Sequence, residues 1–135
     1  GSVKIKSSVK VLGITYKITA IAANTFKNNK KITSVTVGSN VTSIGKSAFE
    51  KCKKLKSITL SKNVEDIGKN AFKNCKNLNT ITIKSTKLDV DGVKKGAFSG
   101  IGKKVVVKVP KSKYSAYKKL LREKGLNKKV KIKKI

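Results

Sequence analysis

The sequence predicts a repeat solenoid: short parallel strands and helical or 3-10 turns in about four stacked coils, a β-hairpin at the first end, a helix and strand at the last. Three observations predict it. All four phenylalanines, Phe26, Phe49, Phe72 and Phe98, recur at intervals of 23, 23 and 26 residues. The segment Lys53-Lys54-Leu55-Lys56-Ser57-Ile58-Thr59-Leu60 recurs as Lys76-Asn77-Leu78-Asn79-Thr80-Ile81-Thr82-Ile83 and, one copy earlier, as Lys30-Lys31-Ile32-Thr33-Ser34-Val35-Thr36-Val37. Columns of apolar or small residues then continue through the copies: Ile18, Val41, Val64 and Val90; Ile21, Ile44, Ile67 and Val93; Thr25, Ala48, Ala71 and Ala97.

Within one copy the alternation around Ile58 and Leu60 has the period of a strand, ended by the polar turn Ser61-Lys62-Asn63. A second apolar stretch, Val64-x-x-Ile67-Gly68, leads into Ala71-Phe72, where the spacing suits a single helical or 3-10 turn. One copy cannot bury its own apolar side. Stacked copies can, with parallel strands about 4.8 Å apart. The last copy carries three extra residues between Ile83 and Val90, around Ser85-Thr86-Lys87, expected to bulge outward as a loop while Val90 resumes the column.

The ends must hide an otherwise open core. Residues 1–17 are expected to form the first cap, 18–104 the repeats and 105–135 the second cap. From Val9 to Ile18 apolar and polar residues alternate around Gly13, which suits a hairpin, with Tyr16 as a cap residue. The alternative is an eroded coil with Leu12 and Ile14 in the strand columns. At the far end Val105-Val106-Val107-Lys108-Val109 reads as a buried strand stopped by Pro110, the only proline. Ser112 is placed to cap a helix through Tyr114, Tyr117 and Leu121 that ends at Gly125. Its Tyr and Leu should face the last coil, and Val130-Lys131-Ile132 should close the sheet edge.

Composition narrows function. The 135 residues hold 34 Lys or Arg against 6 Asp or Glu, a formal net charge of +28, and no His. That leaves no imidazole base, no His metal ligand and few carboxylates for acid–base work, so an enzyme is not expected. Arg122 is the only arginine. Lysine is a hydrated point charge, whereas specific nucleic-acid readers lean on planar arginine and stacking aromatics. Aromatics here are 5%, Phe and Tyr alone, so the charge reads first as a solvated surface that keeps the protein monomeric. The chain opens on Gly1-Ser2 and has no Met, which reads as a processed or truncated product and leaves room for a signal peptide removed upstream.

From Cys52 to Cys75 the residues Cys52-x-x-Leu55-x-x-Ile58-x-Leu60, then Val64-x-x-Ile67-Gly68-x-x-Ala71-Phe72-x-x-Cys75, closely resemble the repeat of the BspA-like leucine-rich repeat family. The copy before it matches with Asn29 in the first Cys column. The last departs, with Ile101 in place of Cys and the insertion breaking the period. The resemblance covers roughly residues 18–110. It implies a leucine-rich-repeat solenoid, location in a secreted or cell-surface bacterial protein, and adhesion or binding to host or matrix components.

Candidate chemistry is sparse. Cys52 and Cys75 occupy one column of adjacent coils, so their Cα atoms should lie about 5 Å apart, within disulfide range. Free buried thiols are expected, with a disulfide the alternative; without His the pair completes no zinc site. Asp89, Asp91 and Gly92 faintly resemble a calcium loop but lack its full carboxylate spacing, so a polar turn is expected, as for Glu50 and Glu65-Asp66. Neither metal nor cofactor is expected. The expected repeat core is Phe26, Phe49, Phe72, Phe98, Ile58, Leu60, Ile81, Ile83, Cys52 and Cys75.

The outward side of the strands is the candidate binding face. Ser34, Ser57 and Thr80 align, as do Thr36, Thr59 and Thr82, with Lys108 following in register; Thr33, Lys56 and Asn79 form a third column. A hydroxyl ladder suits sugar or peptide hydroxyls, but Thr is also simply a good strand residue. The expected function is a noncatalytic interaction module that binds a protein or glycan through this face. Lysine-driven attachment to anionic polymers (cell-wall polymer, glycosaminoglycan, least of all nucleic acid) is the alternative. A structural spacer in a longer surface protein is a third.

Overall fold

The computed structural model describes residues 1–135, and each repeat folds as one flattened coil with a strand on either side. The strands are β1 (Ser2–Ile5), β2 (Ser8–Val11), β3 (Ile14–Lys17), β4 (Ala20–Ile21), β5 (Ser34–Val37), β6 (Ser43–Ile44), β7 (Ser57–Leu60), β8 (Asp66–Ile67), β9 (Thr80–Ile83), β10 (Val106–Val109) and β11 (Lys131–Lys134). One helix, α1 (Tyr114–Glu123), follows a 3-10 turn at Lys111–Lys113. The main sheet is parallel throughout, in the order β1-β5-β7-β9-β10-β11. A smaller parallel sheet, β4-β6-β8, lines the other side, and a bridge from Ile67 to Val93 extends it into the last coil.

The core lies between these sheets. Val35, Ile58, Ile81 and Val107 stack in register from the main sheet, and Ile21, Ile44, Ile67 and Val93 answer from the smaller one. The phenylalanine rings stack one per coil, with centroids 5.2, 5.3 and 5.4 Å apart and planes within 14° of parallel. Phe49, Phe72 and Phe98 are buried. Phe26, the end of the stack, is half-buried because no coil precedes it.

Backbone geometry repeats as faithfully as the side chains. Asn24, Ser47, Asn70 and Gly96 all have left-handed φ, at 62°, 56°, 60° and 80°, and so do Asn28, Lys51, Asn74 and Gly100. Each coil thus turns twice through a conformation that Asn and Gly adopt at low cost. At Gly45 and Gly68 successive coils nearly touch. A Cβ would lie 2.4 Å from the Ala23 nitrogen and 2.5 Å from the Lys46 nitrogen respectively. Side chains tie coil to coil as well: Asn40 Nδ2 donates to the Ser7 carbonyl at 2.9 Å, Asn63 Nδ2 to Ser39 at 2.8 Å, and Ser61 Oγ to Gly38 at 2.7 Å.

Alternation between Val9 and Ile18 does give a hairpin, β2-β3, with Leu12 and Gly13 at its tip in left-handed conformations. The pairing excludes Leu12 and Ile14 as strand-column residues. The strand of the first coil is instead β1, upstream of the hairpin, with Val3 and Ile5 paired to Val35 and Val37. Ser7 and Ile18 are joined by a 2.8 Å backbone hydrogen bond, so the hairpin is an excursion from a continuing coil. It does not cover the core: Val9, Val11, Ile14 and Tyr16 are each about half exposed, and Leu12 is 98% exposed. Tyr16 is therefore no cap residue.

The insertion of the last coil also differs from expectation. Val90 is 56% exposed, and Leu88 takes the buried position that Val41 and Val64 hold in their coils. Ser85 is fully buried rather than part of an outward loop, and its Oγ donates to the Val64 carbonyl at 2.5 Å. The reason lies in α1. Tyr117 Oη donates to the Ser85 carbonyl at 2.8 Å and accepts the Leu88 N–H at 3.1 Å, so the helix holds the extra residues inward. Burial pushes the Tyr117 phenol up, which keeps it protonated and able to donate.

The helix covers the open end with Tyr117, Leu120 and Leu121, all buried, and Leu121 and Leu126 line one small apolar gap with Phe98. Ser112 does not cap it. Pro110 opens the 3-10 turn, Ser112 sits exposed within that turn, and α1 has no side-chain N-cap bond. The C-terminus does end at Gly125, φ 108°: Leu126 N–H donates to Leu121 and Gly125 N–H to Arg122, the paired bonds of a Schellman turn. Arg122 donates to the Asn127 and Val130 carbonyls and so fastens the helix to the approach of β11. The one arginine is structural.

Candidate functional site

The outward face of the main sheet brings the expected columns together. One row runs Ser2, Ser34, Ser57, Thr80, Val106 and Lys131; its neighbour runs Lys4, Thr36, Thr59, Thr82, Lys108 and Lys133. Thr36 is exposed, and Ser34, Ser57, Thr59, Thr80, Thr82 and Lys108 are half-buried by their neighbours. Lys56 and Asn79 are exposed just before β7 and β9, and Thr33 is half-buried before β5. The hydroxyls interact at one end, where Ser34 Oγ donates to Ser2 Oγ at 2.8 Å. None of the residues in these rows is aromatic. It can offer hydroxyls and lysines in a flat, evenly spaced array.

Cys52 and Cys75 are free and fully buried. Their Sγ atoms donate to the Phe26 and Phe49 carbonyls, each at 3.0 Å, so the thiols fasten adjacent coils. The neighbouring Cys52 sulfur, together with burial, pushes the Cys75 thiol far above the ordinary cysteine value. A buried thiol held neutral is a poor nucleophile. Asp89 closes a turn, its Oδ1 accepting the Asp91 and Gly92 N–H groups at 3.1 and 2.7 Å. No three acidic, Cys or His side chains gather as a metal site would require.

The lysines are ordered in a way that went unread in the sequence. Lys46, Lys69, Lys95 and Lys124 each immediately precede a left-handed residue, Ser47, Asn70, Gly96 and Gly125. Backbone bonds set the layers: Ser47 N–H donates to the Lys69 carbonyl, and Gly96 N–H to that of Lys124. Four layers therefore carry a lysine at the same corner, past the smaller sheet. The signal was available as a fixed offset from the Phe columns, but in a chain so rich in lysine it does not stand out. Like charges about 5 Å apart in water repel by somewhat under 1 kcal/mol per pair, screened by salt. Little acid offsets this. The ion pairs are Lys27 with Glu50 at 3.3 Å and Lys87 with Glu65 at 3.8 Å. Hydrogen bonds from Ser47 and Lys27 hold the Glu50 carboxyl below the usual range despite its burial.

A stacked-coil sheet, a phenylalanine ladder and a polar outward face define a leucine-rich-repeat module. The BspA-type leucine-rich repeat region matches residues 4–127 in six copies, and the chain belongs to that family. The four phenylalanine-bearing coils account for part of that count; β10 and β11 continue the sheet beyond them. Among solved structures, a leucine-rich repeat protein from Bacteroides capillosus is 33% identical, with 75% of each chain covered and a TM-score of 0.60. A leucine-rich cell surface protein from Faecalibacterium prausnitzii is 25% identical over 79% of this chain and 37% of its own length, TM-score 0.53. This chain thus spans little more than a third of that second protein. No curated protein matches the sequence. No helix is long and apolar enough to cross a membrane.

Proposed function

We propose that the protein is a noncatalytic interaction module of a secreted or cell-surface bacterial protein, binding a protein or glycan through the outward face of its main sheet. One observation carries the reading: the registered rows through Ser34, Ser57 and Thr80 and through Thr36, Thr59 and Thr82 lie open on a rigid sheet. Rigidity matters because a face held in place by the core loses little entropy on binding. The family and the surface protein from Faecalibacterium prausnitzii support the location. A glycan and protein array at physiological salt is expected to give hits that Thr59→Arg, placed mid-face, abolishes. An array without hits, or hits that ignore Thr59→Arg, would remove this reading.

A second reading is favoured by the lysine row. A +28 surface with two ion pairs attracts anionic polymers, and an attachment of this kind weakens steeply as salt rises.

A further inference from the structure

We propose that the row Lys46, Lys69, Lys95 and Lys124, with the depression it borders, is a binding site for a linear polymer without nucleobases that bears repeated tetrahedral oxyanions, either phosphates or sulfate esters. The proposal rests on the polyanion reading and assigns it a place. The depression, about 570 Å³, lies between the corner past the smaller sheet and the C-terminal end of α1. Lys69, Lys94, Lys95 and Lys124 line it, with Asn70 and Ser99 as neutral hydrogen-bonding groups and no apolar side chain. Glu123 is its single carboxylate.

The ammonium groups of Lys69, Lys95 and Lys124 form no ion pair, whereas Lys94 Nζ is engaged by the Asp91 carbonyl at 2.6 Å. The row is rigid at its base, because each lysine is followed by a left-handed turn residue within a stacked layer. The rings of the phenylalanine ladder mark the layer spacing, 5.2 to 5.4 Å. A polymer lying along the stacking axis would meet one cation per layer. The carbonyl end of α1, which would repel an anion, is already satisfied: Leu121 and Arg122 accept the Leu126 and Gly125 N–H groups.

The residue types select the class. Ammonium groups recognise point charge without the planar fork of arginine. With no aromatic or aliphatic residue lining the depression, nucleobases have no ring to stack on. What remains is the repeated charge of a flexible chain.

The test is fluorescence anisotropy at about 0.15 M salt, with labelled inorganic polyphosphate of about 15 units and a heparin-derived oligosaccharide of similar charge as probes. The native protein is expected to bind at least one; preference for polyphosphate assigns a phosphate chain and preference for heparin assigns sulfate esters. Lys69→Gln/Lys95→Gln/Lys124→Gln should weaken binding by about tenfold or more and flatten the log–log salt slope by about 2, near 0.7 per lost contact. Lys53→Gln/Lys54→Gln/Lys76→Gln removes the same charge from another exposed corner and should weaken binding less than about threefold. The double variant Lys69→Gln/Lys95→Gln leaves the end of α1 intact and serves if the triple variant is unstable. Equal losses from both corners would overturn the site while leaving diffuse attachment standing. Binding of neither polymer would remove both, and tighter binding of single-stranded DNA of equal charge would overturn the assigned class.

Discussion

Phe72 and Tyr117 show what single residues do in a stacked fold. Phe72 has a ring on either side, Phe49 at 5.3 Å and Phe98 at 5.4 Å, and is fully buried. Phe72→Ala should cost about 3–5 kcal/mol in urea unfolding, since neither neighbour can close the gap while the backbone ladder holds. A loss below about 1 kcal/mol would mean that the ring does not carry the stack. Tyr117 acts through its hydroxyl. In Tyr117→Phe the Leu88 N–H and the Ser85 carbonyl lose their partner while buried, at an expected cost of about 1–3 kcal/mol. Thermal unfolding of the variant beside the native protein checks it, and an unchanged midpoint would show that water replaces the hydroxyl. The Phe columns were legible because a core position recurs once per coil. Tyr117 was legible as buried, but its polar socket was not, because that socket comes from the insertion, where the repeat fails.

At the scale of elements, the β2-β3 hairpin is separable from the fold. Ser7 and Ile18 already meet through a backbone hydrogen bond, and the intervening apolar side chains point to solvent. Replacing residues 8–17 by two glycines should therefore leave the unfolding free energy within about 1 kcal/mol, because the excursion contributes little burial. A large loss would show that the hairpin supports the first coil. The local signals for the hairpin were strong: alternation, a central Gly and the right length. Its relation to the core was not legible. β1 is four residues long and stands apart from its coil by the hairpin itself, so its repeat signature is broken in the sequence. Likewise Ser112 has the chemistry of an N-cap, but Pro110 starts the turn earlier and leaves Ser112 inside it.

Over the whole molecule, attraction between coils works against repulsion among 34 cations. Screening should therefore stabilise the fold. Raising NaCl from about 10 mM to about 0.5 M is expected to raise the melting temperature by several degrees, as the Debye length falls from about 30 Å to under 5 Å. A flat or falling midpoint would indicate that the lysines are too dispersed to strain the native state. The same charge has two spatial forms. On the sheet face lysines flank the hydroxyl rows, as Lys4, Lys108 and Lys133 do, whereas at the corner past the smaller sheet they form a continuous row. The second arrangement borders a depression lined by lysines, and it carries the proposed polymer site.

The sequence by itself determined the solenoid, its period, the stacked phenylalanines and the outward hydroxyl rows, because each depends on spacing that repeats from coil to coil. Tertiary structure decided what happens where repetition stops. It placed β1 at the sheet edge, left the hairpin in solvent, drew Ser85 and Leu88 inward beneath Tyr117, and continued the lysine row onto the end of α1. Those outcomes depend on contacts between segments far apart in the chain, and no local periodicity encodes them.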